Sequence, residues 1–194
     1  MSKSNNDSDN LWDGGWWRLA KRCPSPNFNE RPPGEGVSLL VVHNISLPPN
    51  KFGGGYVQQF FCNQLDVSKD AYFSSISHLK VAAHFFVERH GAVTQFVSTD
   101  CRAWHAGQSC FSGRENCNDF SVGIELEGAD HIPYTAEQYA ALVELSRSIV
   151  AKYPQVNMES IVGHEHIAPG RKTDPGPSFD WRHYRKALFA SENG

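Results

Sequence analysis

Two histidines in this sequence stand where chemistry is usually presented. His43 closes the apolar run Val37 to Val42 (VSLLVV), and His164 closes a second short run, Ser160 to Gly163. Both runs read as strands, and open sheets present ligand-binding groups where a strand gives way to a loop. Lys172 and Asp174 follow His164 in an irregular Pro/Gly-rich loop (EHIAPGRKTDPGPSF) that can fold back on it. Two neutral imidazoles and one carboxylate would leave a tetrahedral zinc ion an open position for water, the pattern of a catalytic site. The segment FSVGIELE (Phe120 to Glu127) alternates, with Val122, Ile124 and Leu126 on one face and Gly123, Glu125 and Glu127 on the other. Those carboxylates could line a site, or could be the solvated face of an edge strand. Lys172, beside Arg171, could equally be ordinary surface charge.

Other motifs fail on inspection. The zinc-protease pattern HExxH would need histidine at position 168, where Ala168 stands. Histidine is nowhere followed two residues later by Asp or Glu, so the usual spacing of a non-haem iron centre is missing. Gly107-Gln-Ser109-Cys-Phe111 lacks the second glycine of a nucleophile elbow, and Gly34, Gly36 and Gly53 to Gly55 read as turns rather than nucleotide loops.

The elements that must position these residues follow from periodicity. After a turn-rich arm from Trp12 to Gly36, which Trp12, Trp16, Trp17 and Phe28 could pin to the core, the first strand ends at His43. Tyr56, Val57, Phe60, Phe61 and Leu65 predict an amphipathic helix. Leu79 to Glu88 and Ala92 to Val97 predict a hairpin turning at His90-Gly91, with His84 a buried, hydrogen-bonded residue near the site. Ala136 to about Tyr153 is the strongest helix, with a capping box at Thr135 and Gln138, and Asp180 caps a closing helix. Residues 1–10 are polar, aperiodic and expected to be disordered. The expectation is one α/β (α+β) domain over residues 11–190, with a central mixed sheet flanked by helices and a short tail at 191–194.

The chain has 194 residues, 40% of them hydrophobic, and a net charge of −3. That profile gives one core and no basic field for nucleic acid. Its five cysteines are odd in number and lack tight metal spacing, which fits reduced thiols in a cytoplasm. No signal-peptide core and no membrane-length apolar stretch is present, so neither export nor membrane attachment is expected.

The segments LLVVHNISLPPNKFGG, RAWHAG, NDFSVGIELEG and GHEHIAPGRKTDPGPSFDW, spread from about Trp16 to Leu188, resemble the cytoplasmic peptidoglycan-recycling branch of the zinc-dependent N-acetylmuramoyl-L-alanine amidases, relatives of the peptidoglycan recognition proteins. The resemblance implies one zinc ion on His43, His164 and Asp174, with Glu125 and Lys172 as catalytic side chains. It implies hydrolysis, in the bacterial cytoplasm, of the amide joining 1,6-anhydro-N-acetylmuramic acid to L-alanine of a stem peptide, which would keep β-lactamase induction low. A muropeptide-binding module without catalysis and an amidase on intact murein are the rival readings. The anhydro-muropeptide is the partner implied, with no obligate protein partner. Asn44, Trp104, His105, Lys80 and Ala168 are candidate substrate contacts. Trp104 and His105 could pack or offer a sugar platform, and Asn44 could instead cap the strand end. The chain departs from the pattern at Glu165-His166, where relatives carry Cys-Asp, and at Asn116, where some carry a second arginine.

Overall fold

Residues 39–42 (LLVV) send apolar side chains to both faces of any strand they form, so that strand needs neighbours on both edges and cover on both sides. The computed structural model, which describes residues 11–190, provides both. The strands in chain order are β1 (Trp12–Asp13), β2 (Trp16–Trp17), β3 (Lys21–Arg22), β4 (Phe28–Glu30), β5 (Leu39–Ile45), β6 (Phe85–Val87), β7 (Val93–Gln95), β8 (Cys101–Ala103), β9 (Cys110–Phe111), β10 (Arg114–Glu115), β11 (Ser121–Glu127) and β12 (Ile161–Gly163). The helices are α1 (Tyr56–Phe61), α2 (Phe73–Ile76), α3 (Ala136–Lys152), α4 (His164–Ile167) and α5 (Trp181–Phe189). The principal sheet has the order β12-β5-β11-β6-β7-β3. Its first four strands are parallel, β7 turns back antiparallel to β6, and β3 runs parallel to β7, which is the mixed sheet expected.

The two faces of this sheet are covered differently. Leu40, Val42, Val122, Ile124 and Leu126 pack under α3 and α5 in one continuous core with Leu142, Leu145, Ile149, Tyr184 and Leu188. The opposite face is covered by two separate clusters. One joins α1 and α2 to Phe86 and Phe96. The other joins Leu39 and Val41 to Ala106, Phe120 and Ile167. On this same face the parallel register places His43 beside Glu125 and Val41 beside Gly123, so polar groups and a bare backbone interrupt the apolar lining.

Several boundaries differ from expectation. β5 does not stop at His43: all seven of its residues, through Ile45, pair with β11, because the partner strand extends equally far. The predicted hairpin strands shorten to β6 and β7, and Leu79 to Ala83 lie in no strand. His164 opens a one-turn helix rather than a loop. The arm is ordered as expected, with Trp12 Nε1 donating to Ser148 Oγ at 2.8 Å and the Trp17 backbone N–H donating to Gln95 Oε1 at 2.7 Å. Phe28 does not pin it, being 41% exposed. The expectations of a disordered tail at 1–10 and a short tail at 191–194 fall outside the described residues.

Gln138 shows how α3 is fixed over the sheet. Its side chain accepts from the Thr135 backbone N–H, completing the capping box, while its amide nitrogen donates to the carbonyls of Glu127 at 2.9 Å and Val87 at 3.3 Å. Gln138→Ala therefore leaves buried carbonyls unpaired as well as opening the cap, and is expected to cost about 2 kcal/mol. That corresponds to a Tm lower by roughly 4–8 °C in a chain of this size. Thr135→Ala, which removes the cap and the Oγ1 bond to the Arg89 carbonyl but keeps the bonds from Gln138 to the sheet, should cost less, about 1 kcal/mol; a loss in thermal denaturation as large as that of Gln138→Ala would show that those bonds to the sheet contribute little.

Candidate metal centre

His43 is the fifth residue of β5, Glu125 is its in-register neighbour on β11, and His164 follows the last residue of β12, the strand on the other side of β5. Asp174 is returned to this point by the turn after α4, where the Glu165 backbone N–H donates to the Asp174 carbonyl at 3.0 Å. The result is a triangle of ligand atoms: His43 Nδ1 and His164 Nδ1 are 2.9 Å apart, and each is 3.1 Å from Asp174 Oδ2. The imidazoles are 1% and 3% exposed and the aspartate 13%, so the cluster opens to solvent on the aspartate side.

What lies behind the imidazoles decides what the triangle can hold. His164 Nε2 faces the Ala106 carbonyl at 3.0 Å and can only donate to it, which leaves a lone pair on Nδ1. His43 Nε2 lies 2.9 Å from His105 Nδ1, and His105 Nε2 lies 3.1 Å from Ser121 Oγ. With protons donated along that series toward Ser121, His43 Nδ1 also presents a lone pair. Three acceptors within 3.1 Å of one another repel unless a cation lies among them, so this donor set fits a metal ion of the kind that imidazole and carboxylate bind. Burial lowers His43 to about 4, aided by the nearby His164, so the imidazole is neutral and ready to ligate at neutral pH. Burial alone would raise Asp174; where an imidazole carries a proton on Nδ1 instead, as it can with no cation present, the hydrogen bond from His164 or His43 holds the carboxyl below its ordinary range.

The segment RAWHAG serves this cluster from behind. Asn118 Oδ1 accepts the backbone N–H groups of His105 and Ala106, placing both the ring and the carbonyl that orient the ligands. Gly123 makes room for that ring, since a Cβ there would stand 2.5 Å from His105 Nδ1. His84 completes the layer as the buried, hydrogen-bonded histidine expected, accepting from the Gly123 N–H at 3.0 Å with its ring centroid 5.6 Å from that of His105. Burial pushes His84 down to about 3 and His105 well below its usual value, with neighbouring Arg31 and His43 acting in the same direction. His105 thus braces His43 rather than standing free as a sugar platform.

The triangle opens into a cleft of about 560 Å³, a size suited to a small ligand. Glu125, Lys172, Asn44, Trp104 and His105 line it, together with Asp130, Tyr72 and an apolar wall that includes Phe60, Phe61 and Ile76. Glu125 sits on a central strand, not an edge, and its Oε2 is buried with no hydrogen-bond partner. Burial first, and the nearby Asp174 charge second, raise its carboxyl well above the usual range, against the pull of Lys172. Glu127 accepts from the backbone N–H groups of Gly53 and Arg89 and holds the loop after β5. Asn44 donates to Asp130 Oδ1 at 2.8 Å and the Pro175 carbonyl at 3.1 Å, and Trp104 Nε1 donates to Asn29 Oδ1 at 2.6 Å.

Two predicted contacts lie elsewhere. Lys80 is exposed and does not line the cleft, because the strand expected to carry it does not form. Ala168 is buried at the end of α4, where its carbonyl accepts the N–H groups of Arg171 and Lys172, and it faces a separate groove with Asn116. It shapes the loop that carries Lys172. Sequence reading missed Ser121, Asn118 and Asp130. Small residues at two successive inward positions, Ser121 and Gly123, were the available sign that something approaches β11 closely.

His105→Phe should lower zinc(II) affinity roughly 10- to 100-fold in competition with a chromophoric chelator, since His43 loses its orienting acceptor; unchanged affinity would show that His43 holds its orientation unaided. In the metal-free protein the raised Glu125 carboxyl has a sign consequence. A folded-state value above the unfolded 4.5 means that the native state holds an extra proton above that pH, so stability falls as pH rises. Glu125→Gln should match the wild type near pH 4 and exceed it by about 1–3 kcal/mol near pH 7 in urea denaturation.

Comparison with known proteins places the chain in a family. The profile of the N-acetylmuramoyl-L-alanine amidase family matches residues 33–177. The chain is 49% identical over 183 residues to the 1,6-anhydro-N-acetylmuramyl-L-alanine amidase AmpD of Citrobacter freundii, covering 94% of this chain and 97% of the relative. A crystal structure of a selenomethionyl AmpD derivative superposes with a TM-score of 0.89 at 49% identity, covering 92% of this chain and 99% of that one. Escherichia coli AmiD, solved with anhydro-N-acetylmuramic acid-L-Ala-D-γ-Glu-L-Lys, superposes with a TM-score of 0.58 at 25% identity, covering 83% of this chain and 65% of that one. With most of its length matched in both sequence and fold, the chain belongs to the N-acetylmuramoyl-L-alanine amidase family.

Proposed function

We propose that this protein hydrolyses the amide between the lactyl group of 1,6-anhydro-N-acetylmuramic acid and L-alanine, using one zinc ion held by His43, His164 and Asp174. The carrying observation is that the three convergent ligand atoms share a cleft with a buried carboxyl that has no partner, Glu125, and an ammonium group, Lys172. The substrates named for the related amidases support the anhydro-muropeptide over other amides.

When bound, zinc supplies Lewis acidity that polarises a carbonyl and acidifies water. The protein's own groups do the rest. Glu125, with no internal bond to satisfy, accepts a proton from the attacking water and returns it to the leaving nitrogen. Its buried surroundings make it a stronger base than an exposed glutamate. Lys172, on the solvent side of the cleft, places positive charge beside the oxygen that becomes negative as the carbonyl carbon turns tetrahedral. Trp104 presents an aromatic face along the same cleft, Asn44 holds Asp130 and the Pro175 carbonyl in its wall with both amide protons, and Phe60, Phe61 and Ile76 form an apolar side that excludes water.

The working place we infer is the bacterial cytoplasm, in recycling of cell-wall fragments, with removal of inducing muropeptides keeping β-lactamase expression low. Among the described residues no helix is long and apolar enough to cross a membrane.

The test is mass spectrometry of products from anhydro-muropeptides and from intact murein, each with and without a chelator. Chelator-sensitive release of stem peptide from the anhydro-muropeptide alone is expected; cleavage of intact murein would move the enzyme to the envelope, and no release from zinc-loaded protein would make it a binding module. Glu125→Gln should keep zinc and lose turnover about 10²- to 10⁴-fold, while Asp174→Ala should lose the metal itself. Full activity of the first variant, or full zinc content of the second, would overturn the role given to that residue.

A further inference from the structure

Cys23 and Cys62 lie 39 residues apart in sequence, yet their Sγ atoms are 3.5 Å apart, about 1.5 Å beyond the ~2.05 Å of a covalent bond. Cys23 follows β3, where its backbone N–H donates to the Gln95 carbonyl at 2.9 Å. Cys62 is the residue that ends α1. The backbones on either side are already fixed to one another. Ser25 Oγ and Asn27 Nδ2 both donate to the Phe61 carbonyl, Asn27 and Asn63 exchange side-chain bonds at 3.0 Å, and the Cys62 thiol points at the carbonyls of Cys23 and Pro24. Both cysteines are half-buried, so a small oxidant can reach them. Among the described residues no other pair of the five thiols lies within hydrogen-bonding distance.

We propose that Cys23 and Cys62 form an oxidisable dithiol, and that a hydroperoxide converts it to a disulfide joining the amino-terminal arm to the helix that walls the cleft. The step needs one peroxide per pair. With hydrogen peroxide, the Cys23 thiolate attacks one peroxide oxygen, the O–O bond breaks, the other oxygen leaves as hydroxide and is protonated to water, and Cys23 becomes a sulfenic acid. The Cys62 sulfur then attacks that sulfur, its proton leaving with the hydroxyl as a second water. Two thiols are oxidised, one peroxide is reduced, and two waters form. Burial raises the Cys62 thiol, with the adjacent Cys23 acting in the same direction, so that thiol rests protonated until an oxidant arrives.

The bond would close a loop that contains the arm, β5 and α1, and so restrict the unfolded chain. It also fixes the end of α1, whose Phe60 and Phe61 line the cleft, while the metal ligands stand on other elements. In a reducing compartment the pair rests as thiols and closes only when oxidant rises.

The test uses the full chain, freed of reductant and treated with one equivalent of hydrogen peroxide. Free thiols should fall from five to three, non-reducing peptide mapping should find Cys23 joined to Cys62, and Tm should rise by roughly 5–10 °C and return with dithiothreitol. Cys62→Ser and Cys23→Ser should each abolish the cross-link and the shift, whereas Cys110→Ser should leave both. A different cross-linked pair, sulfinic acid at Cys23 in place of a bond, five unreacted thiols, or a cross-link with no change in Tm would overturn the proposal.

Discussion

The register between β5 and β11 is the constraint on which the rest of the molecule depends. Seven consecutive residues pair, from Leu39 beside Ser121 to Ile45 beside Glu127, and within that ladder His43 meets Glu125. Because side chains alternate, a slip of β5 by one residue against β11 would send His43 into the apolar layer under α3 and α5, leave Glu125 behind in the cleft, and turn leucine and valine toward the cleft. Burying a polar group there without partners costs about 2 kcal/mol or more, which ties the catalytic geometry to core formation itself. The second ligand uses the same strand: β12 pairs with β5 through Gly163, so His164 arrives one residue beyond the end of that ladder.

Behind the cleft the protein has assembled a layer of neutral imidazoles. His43, His105 and His84 are buried in series, and a cation, Arg31, is held nearby by the carbonyls of Thr99, Asn118, Asp119 and Ser121. Such an arrangement disfavours a proton on any of the rings. It keeps nitrogen lone pairs available to a metal and lets each ring orient the next. Negative charge in the cleft is concentrated in Asp174, which two imidazoles hold ionised, and in Glu125, which burial holds toward its neutral form. Two carboxyl groups that line one cleft are thereby given opposite tendencies, the condition under which one can ligate and the other can carry protons.

Much of this was legible in the residues. Alternation in FSVGIELE placed Glu125 and Gly123 on one face, the capping box fixed the start of α3, and Asp180 accepts from His183 N–H as the cap of α5. The ligand triangle could be anticipated because His43 ends an apolar run, His164 follows a strand end and Asp174 lies on a loop that returns, although β5 itself continues to Ile45. The contacts at Lys80 and Ala168 could not, because side-chain direction depends on whether a strand forms, and residues 79–83 carry strand-like apolar character that α1 and α2 use for packing instead. The role of His105 was equally hidden. Its sequence neighbours describe an aromatic, polar loop, and only the amide hydrogen bonds to Asn118 turn that loop so that the ring meets His43.

The parallel pairing of β5 has a cost during synthesis. As the chain leaves the ribosome, Leu39 to Val42 emerge long before Ser121 and Ile161, the residues that begin their two neighbouring strands. Until then a fully apolar strand has two unpaired edges and no cover, the state in which nascent chains stick to one another. The arm is delayed in the same way, since Trp12 waits for Ser148. Production of this enzyme in cells is accordingly governed by how quickly its carboxy-terminal half is translated, and by whether a holding chaperone occupies the early strand meanwhile.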